Sequence, residues 1–351
     1  MSRAAVVCGL GAWVPPTVVT NHDLAERLDT TDEWIRTRTG IARRHVIERG
    51  QATSDLAVEA GRRALASASD GGTAADHEVD LVVLATSTPD RPCPGTAPTV
   101  AARLGLGAVA AFDVQAVCTG FVYALATAAG MLSAGTARRA LVIGADAFST
   151  ILDPEDRTTR AIFGDGAGAV VLRSGQAHEP GALLGFDLGS DGTGEDLITV
   201  RAGGSRQRST AEQVHAGDHF FTMAGRAVFT QAVLSMSKSA QTLIDRVGWS
   251  EPGVDRVVAH QANVRILRAV GEQLGLADEQ VVIHLDRVGN TVAGSIPLAL
   301  ADAVTAGDLR AGQRVLLTGF GGGLTWGSTA LIWPDLPLPA PHAPTLRKEQ
   351  A

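Results

Sequence analysis

The segment Phe112-Asp113-Val114-Gln115-Ala116-Val117-Cys118-Thr119-Gly120-Phe121 runs on into an alanine-rich stretch from Val122 to Ala134. It reads as strand, tight turn and helix, and it sets a thiol at the helix start. Unpaired backbone N–H groups and the helix dipole at such a start stabilise a thiolate and any oxyanion beside it. Two later segments supply partners: Ala259-His260-Gln261-Ala262-Asn263 and Gly289-Asn290-Thr291. Thiol, imidazole and carboxamide together make a nucleophile, an acid/base or hydrogen-bond donor, and an oxyanion stabiliser.

Around this segment, short apolar runs alternate with Ala/Leu-rich stretches. Strands are expected at 80–85, 139–144, 256–259 and 314–318. Helices are expected at 56–69, 97–104, 119–134, 229–247, 263–274 and 296–306. This alternation indicates α/β layering with buried, largely parallel strands. The order of elements also repeats. In the first half, strand 80–85, a helix ending Leu104-Gly105-Leu106, a short strand and Cys118 are followed by strand 139–144 and Phe163-Gly-Asp-Gly-Ala-Gly168. In the second, strand 256–259, a helix ending Leu274-Gly275-Leu276, a short strand 280–284 and Asn290 are followed by strand 314–318 and Phe320-Gly-Gly-Gly323. Cys118 lies 23 residues before Leu141 and Asn290 lies 25 before Val315, so the two are expected at equivalent junctions. Such a duplication is strong evidence for the fold.

Composition narrows the function. The chain has 351 residues, 45% hydrophobic and 19% charged, with a net charge of −7. That suits a globular protein with a large core and disfavours nucleic acid as a partner. Cys8, Cys93 and Cys118 have no paired spacing, which fits a reducing compartment, and the cytoplasm is the expected location. No run reaches 18 apolar residues, so no membrane span is expected. The histidines and cysteines have no metal-site spacing and no metal is expected. The Gly164–Gly168 and Gly321–Gly323 stretches lead into strand-like runs, whereas a dinucleotide fingerprint precedes a helix. They read as tight turns between antiparallel strands, the second bringing backbone N–H groups towards the thiol. Residues 201–219 read as a polar surface loop or insertion, and 335–351 as a tail.

With these motifs in place, the sequence resembles β-ketoacyl-ACP synthase III within the thiolase-like fold, over roughly residues 4–334. The motifs are Asp32-Glu33-Trp34-Ile35 with Arg38-Thr39-Gly40-Ile41, Val117-Cys118-Thr119-Gly120-Phe121, Phe163–Ala169, His260-Gln261-Ala262-Asn263, Gly289-Asn290-Thr291 and Phe320–Gly327. The resemblance implies duplicated α/β halves in a five-layered α-β-α-β-α core. Residues 1–175 would carry the nucleophile and 176–334 the His and Asn. It also implies a homodimer, with acyl-CoA and malonyl-ACP as substrates and no cofactor. Cys118 would take the acyl group, and the carbanion from decarboxylated malonyl-ACP would then attack it, giving a 3-oxoacyl thioester.

Residue by residue, the resemblance assigns the oxyanion donors to the N–H groups of Cys118 and Gly322. His260 and Asn290 become donors to the malonyl thioester, and Phe121 and Phe320 an apolar wall. Trp34, Arg38 and Arg157 would bind CoA at the mouth, Asn263 the pantetheine arm, and Arg265 with Arg268 the acyl carrier protein. Cys93, in Arg91-Pro92-Cys93-Pro94-Gly95, stands where acetyl-specific members carry a bulky aromatic reaching across the dimer. Its small size implies a primer longer than acetyl, medium-chain or branched. Thr158, following Arg157, departs from a common Gly. The alternatives are an acyltransferase that loads Cys118 and passes the acyl group to an alcohol, amine or carrier, and a non-catalytic scaffold. Retention of both His260 and Asn290 favours condensation, because simple transfer needs no decarboxylation clamp.

Overall fold

Every residue of the strands at Leu81–Ala85 and Arg139–Asp146 is buried. Their unbroken apolar runs have helices to cover on both faces, the signature of strands inside an α/β stack. The computed structural model describes residues 3–68, 78–210, 214–249 and 253–336. In chain order the strands are β1 (Arg3–Trp13), β2 (Thr17–Thr20), β3 (Arg43–Val46), β4 (Leu81–Ala85), β5 (Ala110–Val114), β6 (Arg139–Asp146) and β7 (Gly166–Gln176). They continue as β8 (Phe186–Ser190), β9 (Ile198–Thr199), β10 (Thr222–Met223), β11 (Arg256–Ala259), β12 (Arg314–Gly321) and β13 (Thr325–Ile332). The helices are α1 (Asn21–Ala25), α2 (Asp32–Thr39), α3 (Thr53–Ser67), α4 (Ala97–Arg103) and α5 (Gly120–Ser133). They continue as α6 (Arg157–Arg160), α7 (Gly225–Arg246), α8 (Val264–Gln273), α9 (Leu285–Val288) and α10 (Ser295–Ala306).

Two sheets carry the fold, ordered β1-β7-β6-β4-β5 and β11-β12-β13-β8. Three apolar layers join them to the helices. Helices α5 and α10 fill the space between the sheets, with Phe121, Leu125, Ile296 and Leu300 fully buried there. Helices α3 and α4 cover the first sheet through Leu56, Ala60 and Val100. Helices α7 and α8 cover the second through Met236, Leu243 and Leu267. This is the α-β-α-β-α stack. The strands are more mixed than the apolar runs predict: β4 is parallel to β5 and β6, but β7 is antiparallel to β6 and β1, and β13 to β12 and β8. An antiparallel strand buried on both faces is as apolar as a parallel one, so composition does not separate them.

The repeat is more regular than the sequence implies. Leu81 of β4 pairs with Ala140 of β6, and Arg256 of β11 pairs with Val315 of β12, so both strands are displaced by 175 residues. The same displacement relates the one-turn 3-10 segments Val117–Thr119 and Val292–Gly294 that lead into α5 and α10. Val117 and Val292 are also the two non-glycine residues with positive φ among those described, at 47° and 50°. A β-branched residue in that conformation costs on the order of 1–3 kcal/mol, so its occurrence at both mates is a built feature. The frame corrects the expected equivalence: the mate of Cys118 is Ala293, not Asn290, which lies three residues earlier and corresponds to Gln115.

Two further expectations change. Residues 280–284 form no strand; Val281 makes only an isolated parallel bridge to Val257, after a 3-10 turn at Asp278–Gln280. Gly164–Gly168 is not a hairpin turn, because Phe163 bridges to Asn290 and Gly166 already begins β7. Of the 201–219 segment, the described part is mostly exposed and closes on itself through Ala202 N–H donating to the Asp218 carbonyl (2.9 Å). From 337 onward the tail lies outside the described residues.

Close backbone approach locks the two halves together: a Cβ on Gly144 would stand 2.2 Å from the Ala293 carbonyl oxygen. Neither backbone can yield cheaply, so Gly144→Ala is expected to lose about 2 kcal/mol or more, lowering the thermal midpoint by about 3 °C or more in a melting scan. An unchanged midpoint would contradict this packing.

Candidate active site

Cys118 occupies the 3-10 turn ahead of α5, with its left-handed predecessor Val117 aiming the thiol into a cavity. His260 follows the end of β11, where its N–H donates to the Thr318 carbonyl (2.8 Å). Asn290 is held between Ile162 and Gly164: its N–H donates to the Ile162 carbonyl (2.9 Å) and its carbonyl accepts from Gly164 N–H (3.0 Å). Cys118, His260, Asn290 and Phe320 line one cavity. Apart from Cys118, His260 and Asn290 its wall is apolar, drawn from one cluster around Phe148, Phe163 and Phe221 and from another around Val228, Met236 and Ile266. Phe148, Phe163 and Phe221 pack against one another with centroids 4.6–5.0 Å apart, Phe221 edge-on to the other two, giving the wall a rigid aromatic corner.

Hydrogen bonds fix which atoms face the cavity. The Asn290 Oδ1 accepts from Val292 N–H (2.9 Å), so the carboxamide NH2 is its free end. The His260 Nδ1 lies 2.7 Å from Ser295 Oγ, which also accepts from Gln261 N–H (3.3 Å). Ser295 has no other acceptor for its proton among the described residues, so its hydroxyl donates to Nδ1 and the imidazole carries its proton on Nε2. Burial lowers the His260 pKa to about 3, which keeps the ring neutral. The site therefore offers two neutral N–H donors, from imidazole and carboxamide.

The thiol departs from the sequence expectation. Burial, and then the nearby Asp146 carboxyl, push the Cys118 thiol above its ordinary range, against a lowering by its own backbone N–H. Asp146 is itself buried completely, and burial raises it to about 7 although four donors converge on it. These are the N–H groups of Ser87 (2.7 Å) and Ala293 (3.0 Å) and the hydroxyls of Thr86 (3.3 Å) and Thr88 (3.2 Å). Neither Asp146 nor Ser295 stood out in the sequence. A charge ending the apolar run Leu141-Val142-Ile143-Gly144-Ala145 was the available signal for Asp146.

The remaining expected site residues fall into three places. Gly321 backs directly onto the nucleophile, since a Cβ there would sit 2.8 Å from Cys118 N, and Gly322 follows it against Ile198. Phe121 does not line the cavity; it is wholly buried in the layer between the sheets, because it points inward from the first turn of α5. Trp34, on α2, carries the guanidiniums of Arg38 and Arg157 over its ring at 4.8 and 5.3 Å. Arg157 is also tied to the Asp29 carboxylate (3.1 Å). Asn263 caps α8 by accepting from Arg265 N–H (2.9 Å) and donates to the Arg38 carbonyl (3.0 Å), which docks α2 onto the helix whose Ile266 lines the cavity. Arg265 donates to the Thr37 carbonyl (3.0 Å), while exposed Arg268 sits 3.7 Å from Asp278. Cys93 is exposed and does not reach the cavity within the single chain.

A cysteine at a helix start, with two N–H donors lining the same largely apolar cavity of a duplicated α/β stack, defines an acyl-transferring enzyme of the thiolase-like fold. Models of 3-oxoacyl-[acyl-carrier-protein] synthase III match residues 112–192 and, for its C-terminal part, 244–333. The chain is 60% identical to β-ketoacyl-[acyl-carrier-protein] synthase III 5 of Streptomyces coelicolor over 96% of its length and 99% of that protein. It superposes on the crystal structure of the Pseudomonas aeruginosa PAO1 3-oxoacyl-(acyl carrier protein) synthase III with a TM-score of 0.88 at 53% identity, covering 95% and 99% of the two chains. The priming β-ketosynthase of the R1128 polyketide pathway matches with a TM-score of 0.86 at 32% identity, over 96% and 98%. The chain belongs to the β-ketoacyl-ACP synthase III family, enzymes of the acyltransferase class.

Because the thiol is pushed up, thiolate is scarce at neutral pH and grows as pH rises. Alkylation of Cys118 by iodoacetamide, followed by intact mass, is expected to accelerate about tenfold per pH unit from about pH 6 to about pH 9. A plateau below about pH 8 would contradict this environment.

Proposed function

We propose that the chain carries an acyl group from acyl-CoA on Cys118 and condenses it with malonyl-ACP, releasing carbon dioxide and a 3-oxoacyl-ACP. In the first stage the Cys118 sulfur attacks the thioester carbonyl and CoA leaves as its thiol. The oxyanion forms beside the N–H groups of Cys118 and Gly322. In the second stage malonyl-ACP loses carbon dioxide, its thioester oxygen takes the developing enolate charge, and the carbanion attacks the acyl-cysteine. The observation that carries this reading is the pair of fixed N–H donors, His260 Nε2 and Asn290 Nδ2, in the cavity that Cys118 lines. A neutral imidazole suits a group that must donate to an enolate oxygen through the whole reaction. Removing such a donor costs about 2.7–4 kcal/mol of barrier. Phe320 gives the malonyl carboxylate an apolar neighbour, which favours its departure.

The primer is aliphatic, since the wall beyond Cys118 offers Val117, Phe148, Phe163, Ile198 and Phe221 and no polar side chain. Small Cys93 argues for a chain longer than acetyl. CoA enters past Trp34, Arg38 and Arg157, with Asn263 along the pantetheine arm, while Arg265 and Arg268 meet the acidic carrier protein. A homodimer is supported by β5, a sheet edge that a second copy can extend. The enzyme supplies starter units for fatty-acid or polyketide assembly, needs no cofactor of its own, and works in the cytoplasm. Three free cysteines support that location, and no described helix is long and apolar enough to cross a membrane.

One experiment tests the scheme: intact-mass measurement of acylation against acyl-CoAs from acetyl to octanoyl, followed by malonyl-ACP and counting of carbon dioxide. Hexanoyl- and octanoyl-CoA are expected to load faster than acetyl-CoA. Cys118→Ser is expected to take no acyl group, and Asn290→Ala to acylate within about threefold of wild type while releasing carbon dioxide about 10²–10³-fold more slowly. Acylation of Cys118→Ser at the wild-type rate would overturn the mechanism.

A further inference from the structure

The 175-residue repeat places two identical turns back to back, and only one of them does chemistry. In the second turn the N–H of Ala293, mate of the Cys118 N–H, donates to Asp146 Oδ2 at 3.0 Å. The residue that corresponds to Asp146 in the other half is Gly321, at the end of β12 as Asp146 is at the end of β6. Gly321 has no side chain to offer, and no backbone carbonyl accepts from Cys118 N–H among the described residues. One turn therefore has its N–H stopped by a carboxylate of this chain. In the other, the matching N–H is left for an oxygen of the substrate.

We propose that Asp146 is a positioning residue for decarboxylation, its carboxylate filling at the Val292–Gly294 turn the place that the substrate oxyanion takes at the Cys118 turn. The consequence reaches Asn290 within two residues. Val292, forced to φ 50°, directs its N–H to Asn290 Oδ1 (2.9 Å), and Ala293, the next residue, is the one Asp146 holds. The other carboxylate oxygen is fixed by Ser87 N–H and the Thr86 and Thr88 hydroxyls at the end of β4. Asp146 thus ties the strained turn to the first sheet and keeps the Asn290 carboxamide NH2 turned to the cavity. Without it, Ala293 N–H is a buried donor with no acceptor, and the turn relaxes to find one. Cys118 depends on the other turn, which Asp146 does not bond.

This inference rests on the role proposed for Asn290, and the test separates the two. For wild type, Asp146→Ala, Asp146→Asn and Asn290→Ala, acylation by acyl-CoA is followed by intact mass, and carbon dioxide release from malonyl-ACP is measured on the acylated fraction. Asp146→Ala is expected to acylate within threefold of wild type, or faster as the nearby charge is removed, and to release carbon dioxide at least tenfold more slowly. Asp146→Asn keeps one acceptor and is expected to fall between. It reads the same ratio should Asp146→Ala not fold. A merely structural role would lower both steps together. Equal losses in the two steps, or an unchanged ratio in Asp146→Asn and Asp146→Ala, would overturn the inference. Undiminished carbon dioxide release by Asn290→Ala would instead overturn the role of Asn290, and this inference with it.

Discussion

The approach of the Gly319–Gly321 backbone to the Cys118 turn is the contact on which the site depends. It brings the end of β12, from one half of the duplicated fold, against the nucleophile of the other, with room for no side chain at Gly321. The turn bears a left-handed valine, which is costly, and the layered core around it is what holds the cost in place. Helices α5 and α10, each starting from such a turn, are buried between the two sheets. Neither can shift without opening the largest apolar layer of the protein. The geometry of the reaction centre is thus inherited from a packing arrangement that exists twice.

Duplication supplies the frame and asymmetry supplies the chemistry. At one turn stands Cys118, at the other Ala293; opposite them stand Gly321 and Asp146. The same backbone serves once as a place for a substrate oxygen and once as a structural joint. The donors for the second stage come from neither turn itself but from flanking positions. His260 is set by Ser295, the first residue of α10, and Asn290 by the turn that precedes it. Burial that would be a liability for a charged acid is an asset here, because a neutral imidazole with its proton on Nε2 is the form an enolate requires. The same burial works against the thiolate.

Much of this was legible in the sequence, for identifiable reasons. Strands 81–85, 139–146 and 256–259 are unbroken apolar runs, and a doubly covered strand leaves few other readings. His260 stood out at the end of such a run, Cys118 at a strand-to-helix turn, and Asn290 in a Gly-Asn-Thr turn ahead of a helix. The offset between the halves was misjudged because Asn290 was matched to Cys118 on element order and on spacings of 23 and 25 residues to the next strand, and so small a difference in count hides a shift of three residues. The backbone places Ala293 there, a residue with no chemistry to attract notice. The resemblance put Phe121 in the cavity wall, but a helix turns successive residues about 100° apart, and from the first turn of α5 it faces the core. Asp146 and Ser295 act through bonds to groups distant in sequence, and no local pattern reveals such partners.

The central claim is that Cys118 N–H is a working oxyanion donor because Gly321 leaves it open. Single-turnover acylation of Gly321→Ala by acyl-CoA, read by intact mass alongside a titration of CoA binding, tests it most directly. The account predicts acylation slowed about 10²-fold or more, as for loss of an oxyanion donor, with CoA affinity unchanged. Acylation at the wild-type rate with the methyl group in place would contradict it.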